Sequence, residues 1–180
     1  RVYSEALVAV ALEQVDLKRY RTRIKRAYGY LETAQARNGA WTYDARGANG
    51  IRHDNSNTQF AVLGIAAAER CGITVDARLK KRARQHWLNT QERDGSWGYV
   101  GGSRVKTEAM TLAGLASLHL LGEKLERKPR ACGEYERNKG MYAALSWIAG
   151  RMKKGTPGNV FTNSRRYYAL YALERVAIFL

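Results

Sequence analysis

Side chains able to do chemistry are few in these 180 residues, and their spacing restricts what they can do. The histidines His53, His86 and His119 and the cysteines Cys71 and Cys132 are scattered, with no C-x-x-C or H-x-x-x-H spacing. No metal site is read from them, and no cofactor is expected. His119 lies in an apolar run and reads as a satisfied core residue. The densest polar stretch is Asp54-Asn55-Ser56-Asn57-Thr58, which opens another apolar run. Side-chain oxygens of these types accept the unpaired N–H groups of a helix N-terminus, so capping is the simplest expectation. Asp54, Asn55, Ser56 and Asn57, with Tyr43, Tyr99 and Glu108, are the candidates for lining a ligand cavity. No residue is assigned a catalytic role.

Charge is the second signal. Lys and Arg number 31 against 16 Asp and Glu, a formal net charge of +15. The basic residues cluster at Arg19, Arg21, Arg23, Lys25 and Arg26 and at Lys80, Lys81, Arg82 and Arg84, with further groups at Arg127–Arg130 and Arg151–Lys154. A solvated outer face explains such clusters most simply. An acidic protein neighbour or an anionic membrane surface comes next, and nucleic acid ranks below these, since no nucleic-acid module is present.

The elements that must position these residues are legible as a repeat. Gln35-Ala36-Arg37-Asn38-Gly39-Ala40-Trp41 recurs as Gln91-Glu92-Arg93-Asp94-Gly95-Ser96-Trp97, 56 residues later. Self-similarity at such a period marks a repeat architecture. Two kinds of segment alternate around it. Tyr3–Val15, Thr58–Cys71, Thr107–Leu121 and Tyr167–Leu180 are apolar nearly all round, which predicts helices buried on every side. Lys18–Ala34, Asp76–Gln91 and Gly133–Met152 are amphipathic; Ile24, Tyr28 and Leu31 fall at i, i+4 and i+7. Period-two alternation is absent, so the expectation is all-α. Hydroxyl residues Ser4, Thr58, Thr107 and Ser164 set the register of the apolar segments and divide residues 1–180 into three full units and one partial unit of a single array. The chain begins and ends inside helical patterns and is read as a piece of a longer protein.

The repeated phrase, Gln-x-x-(Asp/Asn)-Gly-x-Trp between an amphipathic and an apolar helix, resembles the QW motif of the terpenoid cyclase and prenyltransferase superfamily. The resemblance implies an α/α toroid of alternating inner and outer helices, of which this chain would hold about half. It also implies a place for catalysis: class II cyclases protonate their substrate with the middle acid of Asp-x-Asp-Asp-Thr. Aligned on Thr58, Asp54 is kept, Ser56 replaces the middle acid and Asn57 the last. A hydroxyl is far too weak an acid for that step. The prenyltransferase branch holds zinc with Asp, Cys and His, and no such set is visible.

The phrase also has a reading of its own. The glycines suit a turn with φ > 0. The Gln amide can bond backbone groups left over at a helix end, and the indole offers a large face for packing. Gln35, Gly39, Trp41, Gln91, Gly95 and Trp97 are therefore expected to be structural staples. The functional expectation is a non-catalytic repeat module, a scaffold or binding domain. Its partner would be the rest of a longer chain or a protein neighbour, with an apolar small molecule or a polysaccharide as candidate ligand. The alternative is part of an isoprenoid-handling enzyme, terpene cyclase- or prenyltransferase-like, whose acid or metal lies in other repeats.

Overall fold

The computed structural model describes residues 1–44, 53–103, 105–122, 139–154 and 166–179. Among them are seven helices: α1 (Val2–Asp16), α2 (Arg21–Thr33), α3 (Asn55–Arg70), α4 (Ala77–Thr90), α5 (Glu108–Gly122), α6 (Lys139–Lys154) and α7 (Arg166–Phe179). No strand is present among the described residues; the one bridge joins Gly98 and Lys106. The chain divides into two compact units, Arg1–His86 and Trp87–Leu180, with the boundary inside α4. Cys132, the basic group at 127–130 and Ser164 lie outside the described residues.

In the first unit α1 packs on α2 and α3, and α2 also packs on α3. The helix α3 is buried at every position from Asn55 to Ala68: the apolar run Phe60–Ala68 requires this, and the polar residues Asn55–Gln59 before it are buried with it. Close approach to α1 is made possible by Gly64: a Cβ there would stand 2.9 Å from both Ala6 Cα and Leu31 Cδ1. The amphipathic α2 turns Ile24, Ala27, Tyr28 and Leu31 inward and leaves Lys25 and Arg26 in water. In the second unit α5 packs on α6 and α7 and is buried from Glu108 to Leu118.

The expectation of full burial fails for the other two apolar helices. Only Val2, Ala6 and Ala9 of α1 are buried, while Leu7 and Val15 are exposed. In α7 Ala169, Ala172 and Val176 are buried, and Tyr167, Leu170 and Ile178 are exposed. Each is covered from one side by its neighbours in its own unit. The small residues form the contact stripe and the larger ones lie off it, an order that composition alone does not reveal.

Candidate functional site

The repeated phrase builds the same structure twice. Gln35 Nε2 donates to Gly39 O and Leu79 O, both at 3.0 Å, and Gln91 Nε2 donates to Gly95 O at 2.9 Å and Gly140 O at 2.7 Å. Each amide thus closes its own turn and ties it to the first turn of the next amphipathic helix, α4 or α6. The glycines have φ of 87° and 90° and press on those same helices. A Cβ on Gly39 would lie 2.1 Å from Arg82 O, and one on Gly95 would lie 2.4 Å from Ala143 O. Trp41 and Trp97 are fully buried, and their indole N–H groups donate to Leu31 O at 2.7 Å and Trp87 O at 2.9 Å. Their backbone N–H groups donate to Thr58 Oγ1 at 3.1 Å and Thr111 Oγ1 at 3.2 Å. Asn38 and Asp94 each accept a backbone N–H two residues on, at 3.1 Å. Desolvation pushes the Asp94 carboxyl up, but hydrogen bonds from Ser96 and the Lys106 ammonium outweigh it and leave it near 2. All six residues of the phrase are therefore engaged in joining one repeat to the next.

These contacts correct the register of the apolar helices. Thr58 corresponds to Thr111, not to Thr107: both hydroxyls donate at 2.9 Å to the backbone oxygen four residues earlier, Asp54 O and Thr107 O. Asp54 and Thr107 are then the equivalent caps. Asp54 accepts the Asn57 N–H at 3.0 Å, and Thr107 accepts the Met110 N–H at 3.1 Å. The hydroxyl series misled because α3 starts three residues before Thr58, whereas α5 starts one residue after Thr107.

With the register corrected, Asn55, Ser56, Asn57 and Gln59 correspond to Glu108, Ala109, Met110 and Leu112. All eight are buried. The first set is a cluster of neutral polar groups at the start of α3. Asn55 Oδ1 accepts from His86 Nε2 at 2.9 Å, and the Ser56 hydroxyl donates to Asp54. The Asn57 amide is fully buried, and neither its nitrogen nor its oxygen has a hydrogen-bond partner among the described residues. His86 was missed by sequence reasoning. Burial and the neighbouring His53 ring, 4.7 Å away edge-on, hold its imidazole down to about 3, so it is neutral in ordinary buffers. Its signal was positional: Leu79, Ala83 and His86 fall at i, i+4 and i+7 on the buried stripe of α4.

Tyr43 is 65 % exposed and sits beside the Tyr3 ring, 6.5 Å between centroids. Tyr99 and Glu108 belong to the other unit, where Glu108 is buried and pairs with Arg151 at 2.7 Å. The basic surface also needs correction. Lys80 is only 4 % exposed, because it shares the buried stripe of Ala83 and Trp87, and it pairs with Glu69 at 3.1 Å. Arg21 bonds Cys71 O and Gly72 O at the end of α3, Arg23 pairs with Glu5, and Arg82 donates to Gln35. Arg84 is half-buried. Arg19, Arg21, Lys25, Arg26, Lys81 and Arg82 are exposed. Among the described residues no three His, Cys, Asp or Glu side chains converge, and no helix is long and apolar enough to cross a membrane. Comparison with protein-family models, with curated proteins and with solved structures finds no match.

Proposed function

We propose that this chain is a non-catalytic helical-repeat module of the α/α-toroid type, resembling squalene cyclase and prenyltransferase repeats, and that it serves as a binding domain through the first turn of α3. The observation that carries the reading is the fate of Asp54. It is the one carboxylate in the segment, and it accepts both the Asn57 N–H and the Ser56 hydroxyl as a helix cap. That oxygen is thereby occupied as an acceptor within the start of the helix. The residues around it offer amides, a hydroxyl and a neutral imidazole, groups that orient a ligand by hydrogen bonding without transferring protons to carbon.

The internal repeat supports a binding role over a structural one. At the equivalent positions α5 carries Ala109, Met110 and Leu112 and forms the same capped, buried turn. The fold therefore does not demand amides there, and burying the unpaired Asn57 amide costs free energy. The neutrality of the cluster favours an uncharged ligand. The test is incubation of the protein with squalene and with farnesyl diphosphate, followed by mass spectrometry. No cyclised or transferred product is expected; either product would overturn the reading and favour an isoprenoid enzyme.

A further inference from the structure

The corner between α1 and α2 joins two features that nothing in the repeat accounts for. Val15, in the last turn of α1, is 71 % exposed, and Leu17, which caps that helix, is 41 % exposed. Directly after them stand Lys18 and Arg19, and in the second turn of α2 Lys25 and Arg26, all exposed. None of these four cations pairs with a carboxylate among the described residues: Glu5 is taken by Arg23, Glu13 by Arg70 and Glu69 by Lys80. Asp16 is the acidic group at the corner. Its Oδ1 accepts the backbone N–H groups of Lys18 at 3.1 Å and Arg19 at 2.9 Å, which fixes the turn and leaves both ammonium and guanidinium outward. The Arg21 guanidinium bonds Cys71 O and Gly72 O at 3.2 and 2.9 Å, anchoring the corner to the end of α3.

We propose that this corner docks the protein on an anionic lipid surface, with Val15 and Leu17 entering the interface and Lys18, Arg19, Lys25 and Arg26 meeting the headgroups. Exposed aliphatic side chains followed along the chain by exposed cations match such a surface in both of its parts, apolar below and negative above. Bases would call for an exposed aromatic for stacking, and the corner offers none: Tyr20 is half-buried under Arg19, 5.3 Å from ring centroid to guanidinium. The fixed turn matters, because a preorganised tip loses little entropy on docking. The surface is independent of the α3 cluster and does not rest on the binding role given to it.

The experiment is co-sedimentation of the whole protein with vesicles of phosphatidylcholine alone and of phosphatidylcholine mixed with phosphatidylserine, at low and raised salt. Binding is expected only to the mixed vesicles and is expected to fall with salt. Lys18→Gln, Arg19→Gln, Lys25→Gln and Arg26→Gln should each weaken it by about fivefold, the effect of about 1 kcal/mol per cation at such a surface. Val15→Ser with Leu17→Ser should weaken it by about tenfold at unchanged salt dependence. Leu17→Trp should bind at least as well, with indole emission shifting to the blue only when mixed vesicles are present. Absence of vesicle binding, equal binding to phosphatidylcholine alone, or loss on charge removal without any effect of the serine pair would each overturn the proposal. So would a gel shift of a single-stranded oligonucleotide that outcompetes the vesicles.

Discussion

Gly39 and Gly95 are each constrained twice, by a positive φ and by a backbone carbonyl where a Cβ would lie. An alanine at either place must strain its own backbone or push the neighbouring helix away, and only the first of these is readable from the Asn-Gly and Asp-Gly turn signals. The tryptophans sit beside them, fully buried with their N–H groups bonded. Trp41→Ala and Trp97→Ala should each destabilise the protein by about 3–5 kcal/mol, measured by chemical denaturation; a change below 1 kcal/mol would show that the indole is not a staple. His86 makes a pH prediction. Its native pKa, about 3, lies below its ordinary 6.5, so the folded state binds fewer protons than the unfolded chain between these values. Its contribution to stability is complete above pH 6.5 and declines as pH falls toward 3, at no more than about 1.4 kcal/mol per pH unit. Unfolding midpoints across that range should fall less steeply in His86→Gln than in the parent protein.

At the scale of elements, the type of each helix was legible and the burial of each was not. The apolar runs of α3 and α5 gave helices buried over most of their length, and the period of Ile24, Tyr28 and Leu31 gave the inward face of α2. The same pattern in α1 and α7 predicted burial that did not occur, since periodicity reports what a helix could bury and the number of neighbours decides what it does bury. The start of α3 was similarly half-legible. The polar run before Thr58 announced a cap, but the register against α5 depended on which Thr reaches back to Asp54 O or Thr107 O, a contact made in three dimensions. Lys80 was read as surface because single residues in a basic run look alike. Its position relative to Ala83 and Trp87 places it inward, where Glu69 meets it. Removing the acid by Glu69→Gln strands a buried ammonium, whereas Lys80→Met removes the charge and keeps the volume. Thermal unfolding should therefore rank Glu69→Gln as the more destabilising by about 1–3 kcal/mol, the partner being part-exposed. The reverse order would mean that Lys80 reaches water by another route.

For the whole molecule, the repeat acts as an internal control. Where the two copies agree, in Gln, Gly, Trp and the capped Thr, the residues build the fold. Where they differ at buried positions, in Asn57 against Met110 and Gln59 against Leu112, the fold tolerates either and the polar choice needs another reason. Under the proposed function, that reason is ligand binding by the first turn of α3. The most direct test is denaturant unfolding of the triple variant Ser56→Ala, Asn57→Met and Gln59→Leu, which gives α3 the residues α5 already carries. If the polar cluster is kept for binding, the variant remains helical and unfolds cooperatively with stability equal to the parent's or up to about 3 kcal/mol higher, as a buried unpaired amide is removed. A loss of more than about 2 kcal/mol, or of the cooperative transition, would show that the cluster holds the fold together and would contradict the account.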